Sequence, residues 1–269
     1  MIKKLMPSLL LIFISSVIFS YSALNISLWK KDSNKTNEII KNIHSELEVV
    51  DDIEDIINSA KDEKEETQKT NQYQEYNKMN YIDINIADLQ KINRDTVGWL
   101  KVEGTNINYP FVHTQNNDYY LTHSFDKTKN EAGWVFLDYR NDINNLSKNT
   151  IIYAHSRLDG TMFGTLKNVF DKSWFNNKNN HYIKVSTEKE NLIYQVFSVY
   201  HIKTTNDYIQ TEFASNESYL NWLSKIRKRS IHNFNIKLSS EDKVLTLSTC
   251  YKNDQKAVIH AKLLKTISK

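Results

Sequence analysis

The chain has 269 residues, 40% of them hydrophobic and 12% aromatic, which excludes a disordered protein and allows a core of useful size. Five Gly and two Pro exclude collagen-like and linker-dominated designs, and a formal charge of +3 makes no electrostatic case for nucleic acid as a partner. The charge is unevenly spread. Residues 30–70 hold 7 Lys against 12 Asp and Glu, so an acidic segment precedes a basic remainder. A basic part of this kind suits an anionic envelope, although a solvated surface explains it as well.

In chain order, the first element is an apolar run from Leu5 to Leu28, preceded by Lys3 and Lys4. Its 24 residues would rise about 36 Å as a helix, enough for a hydrocarbon core of about 30 Å. A cleaved signal peptide is the competing reading, with Ser20 and Ser22 at small-residue cleavage positions. The run continues past those serines, which favours an uncleaved anchor. Lys30 and Lys31 on the far side weaken the charge argument for orientation. With the N-terminus inside, everything beyond Lys30 is extracellular, giving a single-pass membrane protein.

Residues 31–80 read as a polar, partly helical stalk. Ile40, Ile43, Leu47, Val50 and Ile57 recur at helical spacing and predict a helix over about 37–60, which would dock on the domain or pair with another chain. Glu63 to Gln74 is almost devoid of apolar residues and reads as solvated chain. A compact domain is expected over 81–269. It opens with a short helix (Ile86, Leu89, Ile92), then a hairpin from Val97–Val102 through Glu103-Gly104 to Ile107–Val112. Strand-like runs follow at Gly133–Leu137, Thr150–Tyr153, Tyr182–Val185, Leu192–Tyr200, Lys243–Ser248 and Ala257–Leu264. Short strands without βαβ alternation predict a mainly β fold, a closed or nearly closed barrel. One helical insert interrupts them, with Tyr219, Leu223 and Ile226 as its apolar stripe and Lys225, Arg227, Lys228 and Arg229 at its C-terminal end, where cations complement the helix dipole.

An exported domain with one cysteine cannot form an internal disulfide. Such a thiol is a buried small hydrophobe, a dimer link or a nucleophile. Cys250 ends the run Val244-Leu245-Thr246-Leu247-Ser248-Thr249-Cys250. Alternation puts Leu245 and Leu247 on the core face and Cys250 on the other, at the strand's end, with polar Tyr251-Lys252-Asn253-Asp254 following. That setting favours the nucleophile. A thiol needs a base or an electropositive neighbour near neutral pH. Among eight histidines, His155 alone ends a strand (Thr150–Ala154) and enters a turn, Ser156 to Gly160.

Thr246-Leu247-Ser248-Thr249-Cys250, the string of strands and the N-terminal anchor together resemble a sortase. Ile152-Tyr153-Ala154-His155, followed by Gly160 to Leu166, is similar to the catalytic-histidine region of class B sortases, as is the helix before the cysteine strand. The likeness runs from about Tyr81 to Lys269. It implies a closed eight-stranded β-barrel with N-terminal helices. It also implies a cysteine transpeptidase; separately, no Cys/His/carboxylate cluster has zinc spacing and no loop demands calcium, so no metal or cofactor is expected. Cys250 would cleave a C-terminal sorting signal after Thr through a thioacyl intermediate. His155 would protonate the leaving amine and deprotonate the incoming one, from a peptidoglycan precursor or a pilin lysine. Asn117, Leu121, Thr204, Tyr208, Ile209 and Ser248 would line the substrate groove, though each reads equally well as groove-wall packing.

One position departs from the family. Sortases carry an Arg at the start of the strand after the cysteine, and here the matching residue is Lys256. Lysine supplies a charge and a donor without the planar fork. Either Lys256 substitutes, or Lys252 or Arg157 reaches in, or the enzyme is impaired. Two further readings stand beside the transpeptidase: an L,D-transpeptidase-like cell-wall cross-linker, whose Ser-x-Gly-Cys signature is missing, and a catalytically impaired anchored binding module.

Overall fold

The computed structural model describes residues 2–46 and 81–269. Helix α1 spans Ile2–Glu46, so the apolar run and the first part of the acidic segment form one unbroken helix. The helix expected over about 37–60 is present up to Glu46 as the end of α1, and the rest of that range lies outside the described residues. Polar side chains seat this end of α1 on the domain. Thr36 is fully buried and accepts from Asn130 Nδ2 at 3.1 Å, and His44 Nε2 donates to the Asn108 carbonyl at 3.0 Å.

Helix α2 (Ile86–Ile92) is capped by Asn85, whose side chain accepts from the Ala87 N–H, and buries Ile86 and Leu89. Strands β1 (Thr96–Val102) and β2 (Asn108–Val112) form the expected hairpin, with Gly104 at φ 71° in the turn. The barrel continues with β3 (Phe136–Leu137), β4 (Asn149–Tyr153), β5 (Tyr182–Ser186), β6 (Glu190–Lys203), β7 (Val244–Tyr251) and β8 (Gln255–Ser268). A short helix, α3 (Lys172–Asn176), lies between β4 and β5, and α4 (Asn216–Lys228) lies between β6 and β7. The eight strands close in the order β1-β2-β3-β4-β7-β8-β6-β5. Most neighbours are antiparallel. The parallel contacts β2 with β3 and β4 with β7 require long connections, and those connections carry the residues of interest.

The main core gathers Trp99, Phe111, Trp134, Ile152, Leu245, Leu247 and Ile259. A second core forms beneath α4, where Tyr219, Trp222, Leu223 and Ile226 pack on Phe197, Tyr200, Tyr208, Val244 and Val258. This second core corrects one expectation. The β7 face bearing Val244, Thr246 and Ser248 is buried as fully as the face bearing Leu245 and Leu247, because α4 and the Tyr208 segment cover it. Burial on that face ends at Cys250, which is exposed.

Candidate active site

The parallel ladder between β4 and β7 sets the geometry of the rim. Its last pair is Tyr153 with Ser248, and His155 and Cys250 each stand two residues beyond it, at the same end of neighbouring strands. The residues just before them are joined directly, since Thr249 Oγ1 donates to the Ala154 carbonyl at 2.7 Å. His155 Nε2 lies 2.7 Å from the Leu121 carbonyl. A carbonyl only accepts, so Nε2 is the protonated nitrogen in this arrangement. Gly133 fits against that ring. It sits at φ 61°, and a Cβ there would lie 2.5 Å from the Tyr120 carbonyl and 3.0 Å from His155 Cδ2.

On the other side of Cys250, the β7–β8 hairpin pairs it with Lys256, and Lys256 Nζ lies 3.3 Å from Cys250 Sγ. Of the cations considered from sequence, this is the one that reaches the thiol. Arg157 points elsewhere: its side chain is nearly buried, with the guanidinium 5.1 Å from the centre of the Trp29 ring and 3.5 Å from Asp159. Lys252 lies over the Tyr251 ring, 5.6 Å from its centre.

The residues expected to line a substrate groove would form two walls. Asn117 and Leu121 belong to the connection between β2 and β3. Ser248, Tyr208, Ile209 and Thr204 belong to β7 and to the segment after β6, where the Tyr208 hydroxyl and Ser248 Oγ are 3.0 Å apart. Burial pushes the Tyr208 hydroxyl pKa up, and charge at Cys250 acts in the same direction. The backbone N–H of Thr204 donates to the Asp254 carbonyl at 3.0 Å, tying that segment to the turn between β7 and β8.

Sequence reasoning missed what joins the walls. Asp138 is wholly buried and accepts Arg140 through two bonds of 2.8 and 2.7 Å, the Tyr153 hydroxyl at 3.0 Å and Asn117 Nδ2 at 3.2 Å. Arg140 also donates to the Ile209 carbonyl at 3.0 Å, completing a path from Asn117 to Ile209. Burial alone would raise the Asp138 carboxyl pKa, but the Arg140 fork outweighs it and holds it below the usual range. A signal for Tyr153 was present: it precedes His155 by two residues and so shares its face of the strand. Nothing local marks Asp138. Among the described residues, no group of three or more His, Cys, Asp and Glu side chains converges to hold a metal ion.

A model of the sortase domain matches residues 100–264, more than half of the chain. The chain belongs to the sortase family. Sortase B of Listeria monocytogenes is 39% identical over 165 residues, which make up 61% of this chain and 66% of that protein, just under two thirds of its length. Sortase B of Staphylococcus aureus is 34% identical over 181 residues, 66% of this chain and 73% of that protein. The structure of a Staphylococcus aureus sortase B–substrate complex superposes with a TM-score of 0.63 at 33% identity, covering 67% of this chain and 84% of that one. Class B sortases are cysteine transpeptidases, and this sortase carries one cysteine, at the barrel rim. The L,D-transpeptidase alternative falls with family membership.

Proposed function

We propose that this sortase is an active, membrane-anchored transpeptidase that joins surface proteins to an envelope amine. Cys250 Sγ attacks the carbonyl carbon of a Thr in a C-terminal sorting signal. The C–N bond after that Thr breaks, a proton from His155 goes to the departing amine, and a thioester to Cys250 remains. An amine from a peptidoglycan precursor or a pilin lysine then attacks the thioester and gives up a proton to His155, which restores the Cys250 thiolate beside a protonated His155. The observation that carries this reading is the contact of 3.3 Å between Lys256 Nζ and Cys250 Sγ, at a rim shared with His155. A fixed cation there stabilises negative charge on sulfur and, as the carbonyl is attacked, on oxygen. Lys256 would stand in for the family's Arg, supplying the charge without the fork.

The anchor reading rests on α1, one helix long and apolar enough to cross a membrane, with its apolar side chains exposed from Leu10 to Leu28. The division into an anchor at 1–30, a stalk at 31–80 and a catalytic domain at 81–269 belongs to the same proposal. A peptide-library assay on the full chain in detergent tests the activity, with hydroxylamine as the acceptor amine. Release of the segment beyond a Thr, together with a hydroxamate on that Thr, is the expected result. A library left intact, or cleavage insensitive to alkylation of Cys250, would refute the proposal.

A further inference from the structure

The loop that follows His155 is fastened to the helix proposed as the anchor, at the turn where the apolar run ends. Leu28 closes that run, and Trp29 is the next residue. Trp29 stacks under the Arg157 guanidinium at 5.1 Å. One turn further, about 6 Å along the axis, Ser33 Oγ donates to Asp159. Thr161 also donates to Asp159, through its backbone N–H at 3.1 Å and its hydroxyl at 2.7 Å, so the loop is fixed at both ends. Between Arg157 and Asp159, Leu158 projects outward and is 93% exposed, more than any other large apolar side chain among the described residues.

The other contacts of α1 give the direction. Asn130 meets Thr36 and Asn108 meets His44, so the domain extends along the helix away from Trp29, about 22 Å from Trp29 to His44. The Arg157–Asp159 loop is therefore at the domain's end nearest the apolar run. Leu28, Trp29 and Leu158 are all exposed there, while Lys30 and Lys31 are exposed on the following turn. Aromatic side chains and cations beside an apolar segment are the composition of a membrane–water interface. An exposed leucine costs hydrophobic free energy in water, and the same leucine at the level of Trp29 would be buried among lipid headgroups and upper acyl chains.

We propose that the loop Arg157–Asp159 is a membrane-contact element, with Leu158 inserted in the outer leaflet of the bilayer that α1 spans. His155 is three residues from Leu158, so this contact holds the histidine within about 10 Å of lipid. The inference rests on the anchor reading, and the test separates the two. Cys250→Ala gives a cysteine-free chain, into which Leu158→Cys, Phe19→Cys or Glu188→Cys is introduced and labelled with an environment-sensitive fluorophore. Phe19 reports on the apolar run. Glu188 is exposed in the turn between β5 and β6, next to Ser186, which pairs with Trp99 beside His44, at the far end of the docked helix.

Each full-length chain is reconstituted in phosphatidylglycerol–phosphatidylcholine vesicles, without quencher or with lipids carrying a nitroxide at a shallow position, to report on 158, or at a deep acyl position, to report on 19. The expected result is quenching and a blue shift at 158 and 19, with neither at 188. Quenching at 19 without quenching at 158 overturns the loop contact and leaves the anchor standing. Quenching at neither overturns both. Equal quenching at 158 and 188 overturns the stated orientation, because the domain would then be lying flat on the surface.

Discussion

Two cross-strand pairs on the ladder between β7 and β8 lie four residues apart and face the same way: Thr246 with His260, and Cys250 with Lys256. The first is sealed beneath α4. The Tyr200 hydroxyl donates to His260 Nε2 at 2.8 Å, His260 Nδ1 lies 2.8 Å from Thr246 Oγ1, and Thr246 Oγ1 donates to Asn149 Oδ1 at 2.6 Å. Every group in that chain is satisfied with His260 neutral, and burial pushes its pKa down to about 3. The second pair lies where the cover ends, and its sulfur and ammonium meet each other and solvent. One ladder thus carries a sealed histidine and an exposed cysteine, and the difference between them is the covering layer.

Substitutions at the open pair should abolish activity and spare the fold. Cys250→Ala removes an exposed side chain, so the melting temperature should stay near that of the parent. Peptide cleavage should fall below about 1% of the parent rate, as expected when a nucleophile is truncated. His155→Ala should lose nearly as much in the same assay and accumulate no thioester, whereas His260→Gln should still form it. Lys256→Met keeps most of the stem and deletes the charge, so single-turnover acylation should slow by about 100- to 1,000-fold, the usual cost of losing one oxyanion donor. Lys256→Arg should retain acylation. Parent-like acylation in Lys256→Met would divorce the pair from the chemistry.

Substitution at the sealed pair should do the reverse. His260→Gln leaves Tyr200 and Thr246 imperfectly paired and should cost about 1–3 kcal/mol in urea unfolding. It should also change the response to acid. In the unfolded chain a histidine takes a proton near its ordinary value of 6.5, while folded His260 resists until about 3. Between those values the unfolded state binds more protons, so the stability His260 contributes is present above about pH 6.5 and lost as pH falls toward 3. Urea midpoints at pH 7 and pH 4.5 should therefore separate more in the parent than in His260→Gln. Equal separation would mean that His260 does not carry this part of the acid sensitivity.

Much of this was legible in the chain. The runs around Val97, Ile107, Thr150, Tyr182, Leu192, Lys243 and Ala257 became strands because each alternates or concentrates β-branched and aromatic residues between turn signals. Cys250 and His155 stood out because each ends such a run and enters polar chain. Less legible was everything settled by contacts between distant polar residues. Ser33 with Asp159 and Thr36 with Asn130 join positions about a hundred residues apart, and no periodicity announces them. The same holds for Asp138, whose side-chain partners come from two loops and a strand. Trp222, one of the residues of the layer that covers β7, lies beside the predicted stripe of Tyr219, Leu223 and Ile226 and is explained by the second core.

Cys250 Sγ is the atom proposed to carry the acyl group, and locating the intermediate tests this most directly. The chain is mixed with a sorting peptide cleaved in the library assay, quenched in acid within one turnover and digested, and the adduct is mapped by tandem mass spectrometry. The expected result is an acyl group ending in Thr, attached to the Cys250 sulfur and removed by hydroxylamine. Turnover without that adduct, or an adduct on any other residue, would contradict it.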